Sequence, residues 1–228
     1  MTGMTMRGTG AMALAVASAC LVSSVQARED AVRSARDVFW SEGYEAASMA
    51  SLQRATGLNA SSIYHAFGSK RGLFDAAVSA YLDQVVRPRL APLRADVVAS
   101  DALAEYLRGL RRVMAEPTLP LAAHGCLLLN AATAPVGTDE GLRGIIREYR
   151  EELAAAMQRG AEAARPELDA ASVVALATAC TAHVVAAMTL VRVDANGACE
   201  LLDNALMLLD ASAPSPSSAS ISPEPVDD

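Results

Sequence analysis

The chain has 228 residues, of which 52% are hydrophobic and 4% aromatic, and its formal net charge is −7 at pH 7. This length accommodates a small domain and a larger one, while the negative charge excludes nucleic-acid binding through a diffuse positive surface, so any DNA contact must come from a localised face. No stretch alternates apolar and polar residues as a half-buried strand does, and the sequence therefore predicts an all-α fold.

Residues 1–27, taken alone, resemble a secretory signal peptide. Arg7 is followed by an uncharged run that ends in Val25-Gln-Ala27, a pattern typical of a cleavage site. We interpret residues 1–27 as an atypical, signal-like or disordered extension, because the segment that follows carries a far more specific pattern. The alternative is an exported helical protein that binds a small molecule and begins, once mature, at Arg28.

Residues 28–82 are predicted to form a three-helix, helix-turn-helix DNA-binding domain. The first helix runs from about Glu29 to Glu42. Ser48 is a suitable N-cap for the second helix, and Gly57 ends that helix in the left-handed conformation open to glycine. A third helix follows over residues 60–66, capped by Asn59, and a fourth begins after Ser69 and is disturbed at Pro88 and Pro92.

The third helix has the composition of a helix that reads DNA. Ile63 and Phe67 lie four residues apart and share a buried face, which leaves short and polar side chains facing outward. Residues 46–74 contain no acidic residue, as expected of a surface that faces phosphates. The candidate DNA-binding residues are Ser48, Ala60, Ser61, Ser62, Tyr64, His65 and Lys70. Lys70 lies at a helix N-terminus, which favours a phosphate.

Simpler interpretations of these residues stay open. The glycine turn is also compatible with a generic helical hairpin. Tyr64 packs partly into the domain or reaches a phosphate with its hydroxyl, and His65 contacts DNA or is merely exposed.

Residues 83–210 are predicted to form a larger helical domain, and the family resemblance given below implies that it serves effector binding and dimerisation. Proline, glycine and Asn-Gly breaks separate helices over Ala102–Met114, Leu121–Ala132, Glu140–Ala164, Ala170–Val191 and Ala198–Asp210. Asp139 and Asp169 are placed to cap the helices that follow them. Residues 211–228 are rich in serine, proline and acid, and we expect a disordered tail.

The uncharged run Ala170–Val191 is long enough to span a bilayer. It contains several threonines, a serine and His183, and it is rich in alanine rather than leucine. We therefore interpret it as a buried core or dimer helix and expect no membrane contact.

Nothing in the sequence indicates catalysis, a metal site or a cofactor, and we expect a protein that is not an enzyme; a small helical enzyme would need a reactive cluster that is missing. The four cysteines are scattered, which suits a reducing cytoplasm. His124, Cys126, Asn130 and His183 are candidates for an effector pocket, and Cys126 is either a redox sensor or a small buried core residue.

Residues 29–82 resemble the DNA-binding domain of the TetR/AcrR family of transcriptional repressors. The resemblance rests on Phe39-Trp40, Gly43-Tyr44, Ala47-Ser48, Gly57, Ile63-Tyr64-His65-Ala66-Phe67, Ser69-Lys70 and Leu73-Phe74. It implies that the last two helices of each subunit form a four-helix dimer interface. We therefore expect a cytoplasmic, homodimeric, ligand-responsive repressor that binds a palindromic duplex DNA operator and responds to a small apolar or amphipathic effector.

Overall fold

The structure, a computed structural model, describes the backbone of residues 9–211 and the side chains of residues 25–211. Every regular element in that range is helical, which confirms the predicted all-α fold. The helices are α1 (Thr9–Glu42), α2 (Met49–Thr56), α3 (Ala60–Phe67), α4 (Lys70–Tyr81), α5 (Arg87–Arg94), α6 (Ala102–Met114), α7 (Pro120–His124), α8 (Leu127–Thr133), α9 (Glu140–Ala164), α10 (Ala170–Leu190) and α11 (Ala195–Asp210). All but one residue of the predicted tail 211–228 lie outside the described residues.

The N-terminal part builds a small core from α1 to α4. Phe39 of α1, Leu52 of α2, Ile63 of α3 and Phe74 of α4 are fully buried. The rings of Phe39 and Phe74 meet edge to face, with centroids 5.1 Å apart, a preferred geometry for aromatic pairs. Helices from four parts of the sequence thus share one apolar centre, which fixes the orientation of α3.

The predicted caps of α2 and α3 are confirmed. The Ser48 hydroxyl accepts a hydrogen bond from the amide of Ser51 at 3.0 Å, and the side-chain oxygen of Asn59 accepts one from the amide of Ser62 at 2.8 Å. Gly57 has a φ of 70° and ends α2. These contacts satisfy amides that a helix N-terminus leaves without partners, and they set the bounds of both helices.

Helix α1 is longer than predicted. It begins at Thr9 rather than at Glu29 and continues without interruption to Glu42. The predicted helix start was wrong because we read the first charged residues as its beginning, whereas the preceding alanine-rich run also has high helix propensity. Arg28, which would begin an exported mature form, lies inside this helix.

Helices α4 and α5 form one rod interrupted by a single π-helical segment, Leu82–Val86. The amide of Arg87 donates to the carbonyl of Leu82, and Pro88 follows directly. A proline has no N–H to donate, and its ring clashes with the carbonyl four residues earlier. A π-helical turn widens the helix locally, so the helix continues past the proline. The predicted disturbance at Pro88 is thus local, and the helix does not end there.

Helices α9, α10 and α11 pack side by side, and α6 lies against α11. One face of α10 is buried, including Val173, Cys180 and Val184, but Val174 on another face is 50% exposed. Among the described residues, α10 is the helix whose length and mean hydropathy of 1.9 would suffice to cross a bilayer, and 33% of that stretch is buried. Within the single chain α10 is thus buried on one face only, and its predicted role as a core or dimer helix stays a prediction.

The predicted helix Leu121–Ala132 is divided into α7 and α8. Gly125 separates them with a φ of 66° and a ψ of −147°, a region of backbone space open essentially to glycine. A Cβ atom at this position would lie 2.6 Å from the carbonyl oxygen of Met188 in α10. The close approach of two backbones requires glycine here, and helical periodicity carries no signal of it.

Helix α11 begins at Ala195, three residues before the predicted start at Ala198. The Asp194 carboxylate accepts a hydrogen bond from the amide of Gly197 at 2.8 Å. Asn196 and Gly197 therefore lie in a capped first turn, where weak helix formers are tolerated, rather than in a break.

We expect Gly125→Ala to lower the free energy of unfolding by on the order of 1–3 kcal/mol, because alanine is strained at a positive φ and its methyl group would contact the α10 backbone. Gly144→Ala is the matched control, since apart from the adjacent backbone of α9 no atom lies within 4 Å of the added methyl group in this early turn of the helix. That control should gain about 0.5–1 kcal/mol. Urea unfolding followed by circular dichroism measures both, and equal stability of the two variants would contradict the assigned strain.

Candidate nucleic-acid interface

The outward face of α3 presents the side chains that the sequence selected for DNA contact. Ser61 and His65 are exposed, Tyr64 is 51% exposed, and Ala60 and Ser62 are half-buried. Ile63 on the opposite face is fully buried and anchors the helix. The result is a short, rigid helix that offers hydroxyl groups, a phenol and an imidazole to a partner, as direct reading of base edges and phosphates requires.

Ser48 and Lys70 lie at the starts of the helices on either side of α3. Ser48 is exposed and caps α2, while Lys70 is the first residue of α4. The Lys70 ammonium lies 4.7 Å from the ring centroid of Tyr44 and 3.4 Å from the carbonyl oxygen of Glu45. This cation–π contact holds the charge at a fixed place beside the exposed face.

Arg71 does not belong to this face, although it lies in the acid-free sequence segment. Its guanidinium donates to Asp75 at 2.8 Å and to Asp139 at 2.7 Å. Both carboxylates favour the charged guanidinium, and the hydrogen bond to Asp139 contributes most to raising the pKa of Arg71. Because Asp139 caps α9, this arginine links the N-terminal helices to the C-terminal ones.

Arg28 is a basic residue beside α3 that the sequence analysis missed. Its guanidinium stacks 4.8 Å from the ring centroid of Phe67, at the end of α3. Arg28 and His65 line a common cavity of about 610 Å³ between α1 and α3. No motif contains this arginine, and only the packing of α1 against α2 and α4 brings it to the end of α3.

The interface domain is joined to the C-terminal helices through the break between α7 and α8. The buried indole N–H of Trp40 donates to the carbonyl oxygen of Gly125 at 2.8 Å, and the Trp40 ring meets Tyr81 edge to face at 5.0 Å. Nearby, the Glu45 carboxylate accepts from the amide of Val136 at 2.7 Å. The break between α7 and α8 is therefore in direct contact with α1.

The structure brings together three of the four candidate effector residues. The Asn130 amide donates to the carbonyl oxygen of His124 at 2.7 Å, across the break that contains Cys126. Burial and the nearby charge of Arg192 lower the pKa of His124. His183 lies elsewhere on α10, where its Nδ1 is 2.7 Å from the carbonyl oxygen of Ala179 in the same helix.

The Cys126 thiol is fully buried and lies 3.9 Å from the hydroxyl of Tyr149. Burial is the main cause that raises the pKa of Tyr149 and of Tyr81, which also neighbours this thiol. A sensor of oxidants needs an accessible thiolate, so this enclosed, apolar setting favours a packing role for Cys126.

No cluster of metal-binding side chains occurs among the residues described by the structure. Within the same range Cys126, Cys180 and Cys199 are free and buried, and burial raises the pKa of Cys180 to about 11. The Cys180 thiol is therefore protonated at neutral pH and packs as a small apolar residue.

Comparison with known proteins agrees with this interface. Residues 31–77 match the family described as bacterial regulatory proteins, tetR family. The chain is 34% identical over 107 residues to the HTH-type transcriptional repressor ComR of Escherichia coli (strain K12), covering 46% of this chain and 50% of ComR. The chain thus aligns with about half the length of this relative.

Solved structures extend the similarity across both domains. A cysteine mutant of the TetR family transcriptional regulator CifR, complexed with a 26-bp double-strand operator DNA, superposes with a TM-score of 0.65 at 31% identity, covering 78% of this chain and 95% of that chain. A TetR transcriptional regulator from Chloroflexus aurantiacus gives a TM-score of 0.62 at 27% identity, covering 82% and 93%. The fold and interface define a helix-turn-helix regulator, and the chain belongs to the TetR family of transcriptional regulators.

We expect Asp139→Asn to weaken the link between the two parts of the chain without removing the cap of α9, because asparagine is also a good N-cap. Arg71 lowers the pKa of Asp139 from its usual 3.8. A carboxylate with a lowered pKa stabilises the fold above its unfolded-state pKa, and this stabilisation is lost as the pH falls through the folded-state value.

The wild type should therefore be more stable than Asp139→Asn at pH 6, and the difference should shrink as the pH is lowered below about 3.8. Thermal unfolding across this pH range measures the effect. Parallel pH profiles for the two proteins would show that the ion pair contributes no stability.

Proposed function

We propose that the protein is a ligand-responsive transcriptional repressor that binds a palindromic DNA operator as a homodimer in the cytoplasm. The observation that carries this proposal is the exposed polar face of α3, anchored by Ile63 and flanked by Lys70 and Arg28. ComR is named as a repressor, and CifR was solved on operator DNA. Two copies of α3 would enter successive major grooves about 34–36 Å apart.

The last two helices support dimerisation. In the single chain, Val174 of α10 is 50% exposed, and Met207 and Leu208 of α11 are 61% and 41% exposed. Large apolar side chains exposed on adjacent helices are typical of an interface between subunits. Leu202, by contrast, is fully buried within the chain and belongs to the core of the subunit.

The continuous rod of α4 and α5 supports control by an effector. Its first half packs with α1 and α3, and its second half packs with α6 and α9. A ligand that prefers one position of α5 would shift α4 and hence the separation of the two copies of α3. Because a ligand moves an equilibrium only by its differential affinity, a preference of a few kcal/mol for the wrong spacing is enough to release DNA.

Replacing Tyr64 and His65 together with alanine should lower operator affinity by on the order of a hundredfold or more, because each specific contact to a base edge contributes about 1–3 kcal/mol. A mobility-shift assay with the region upstream of the gene measures this loss. Val97→Ala is the control, since Val97 is 86% exposed and lies outside the interface.

The wild-type complex should also weaken steeply with salt, as phosphate contacts release counterions. Retention of full affinity in the double variant, while the fold is intact, would remove α3 from the proposed interface.

Met207→Arg should convert the dimer into a folded monomer, because a charge buried without a partner in an interface costs several kcal/mol. Val97→Arg introduces the same charge at an exposed valine away from α10 and α11 and should stay dimeric. Sedimentation velocity distinguishes the two outcomes. A wild type that sediments as a soluble monomer would contradict the proposed assembly.

A further inference from the structure

A groove of about 520 Å³ runs between α5 and α6. Its walls are mostly apolar and include Pro88, Pro92, Leu110 and Val113, with Tyr106 also lining it. This volume lies in the range of pockets that enclose small molecules. Gly109 forms part of the α6 wall, where an added Cβ would be in ordinary van der Waals contact with the Arg112 guanidinium at 3.7 Å.

Arg89 is the cation of this groove, and its charge is not neutralised by the protein. Of the arginines on α5, Arg87 and Arg94 both form ion pairs with Glu152. Among residues 25–211, no carboxylate lies within 4.0 Å of the Arg89 guanidinium, which instead donates to the carbonyl oxygen of Val85. A guanidinium keeps several donors for a further acceptor, so Arg89 has capacity to bind an anion.

Two acidic residues, Asp101 and Glu105, also line the groove, but neither forms an ion pair with Arg89. Glu105 binds Arg108 at 3.0 Å. Asp101 precedes the first residue of α6, where the partial positive charge of a helix N-terminus offsets its charge. Because the chain segment 95–101 joins α5 to α6, Asp101 adjoins the Pro92 end, and Arg89 lies toward the Gly109 end.

We propose that this groove binds an amphipathic carboxylate, with the apolar body against Pro88, Pro92 and Val113 and the carboxylate on Arg89. The inference rests on the proposed ligand response and names the chemical class of the effector. It also replaces the pocket expected at His124, Cys126, Asn130 and His183, none of which lines the groove.

The groove is well placed to influence the DNA-reading domain. Arg89 belongs to the rod that continues into α4, which ends at the buried Tyr81. Tyr81 in turn contacts the ring of Trp40. A bound carboxylate that attracts the Arg89 guanidinium would therefore shift α5 at the residue that follows Pro88.

The test compares three ligands of one chain length, namely decanoate, decanol and decylamine, by titration calorimetry on the full chain without DNA. Decanoate should bind most tightly. Arg89→Gln should weaken decanoate binding by about tenfold or more and leave decanol unchanged, because a hydrogen bond to a charged group is worth about 1.5–3 kcal/mol. Gly109→Leu adds a larger side chain to the groove wall and should abolish binding of all three.

Fluorescence of Trp40, the one tryptophan of the chain, and a mobility shift with operator DNA are then recorded with decanoate. Tighter binding of decylamine, or decanoate affinity unaffected by Arg89→Gln and Gly109→Leu, would overturn the site. Calorimetric binding that follows the expected pattern without release of DNA would uphold the site and contradict the proposed ligand response. Circular dichroism of both variants confirms that they are folded.

Discussion

The hydrogen bond from the Trp40 indole to the carbonyl oxygen of Gly125 is the contact on which the coupling of the two domains depends. The indole ring has a single N–H group, which can only donate a hydrogen bond. A buried donor without an acceptor lowers the stability of the folded state. The partner exists only because the chain breaks between α7 and α8 and turns that carbonyl outward. The DNA-reading helices are therefore oriented by a backbone conformation in the other domain.

Two polar contacts also join the N-terminal domain to the C-terminal helices. The Arg71–Asp139 ion pair and the bond from the Val136 amide to Glu45 both attach the N-terminal helices to the segment between α8 and α9. An exposed ion pair contributes little free energy on its own, but both contacts are directional. Together they restrict how the N-terminal domain tilts.

Local signals in the sequence were enough to predict the caps of α2 and α3, the buried face of α3 and the exposure of His65. Each depends on residues within a few positions of each other, where capping and periodicity act. Other features depend on residues far apart in the chain. These are the helix break at Gly125, the stacking of Arg28 on Phe67 and the ion pair between Arg71 and Asp139. No periodic pattern encodes them, because the backbone of α10 or the path of α1 creates the constraint.

The effector region shows the same distinction. His124, Cys126 and Asn130 stand out in the sequence because their residue types are chemically distinctive, and in the structure they lie at the α7–α8 break. Arg89, which we propose as an effector contact, has no such signal, because an arginine beside prolines looks like an ordinary exposed charge. Arg89 differs from Arg87 and Arg94 because those two arginines form ion pairs with Glu152. This difference is visible only in the three-dimensional structure.

The unbroken path from α4 into α5 bears on how this chain can be recombined with its relatives. The predicted boundary between residues 82 and 83 falls within the π-helical segment of that rod. In a hybrid protein joined at that boundary, the π turn and Pro88 would follow an α4 helix taken from a different protein. Exchange of the DNA-reading part would preserve the junction only if α5 and the residues around Gly125 were transplanted with it, so the smallest portable unit is larger than the helix-turn-helix domain.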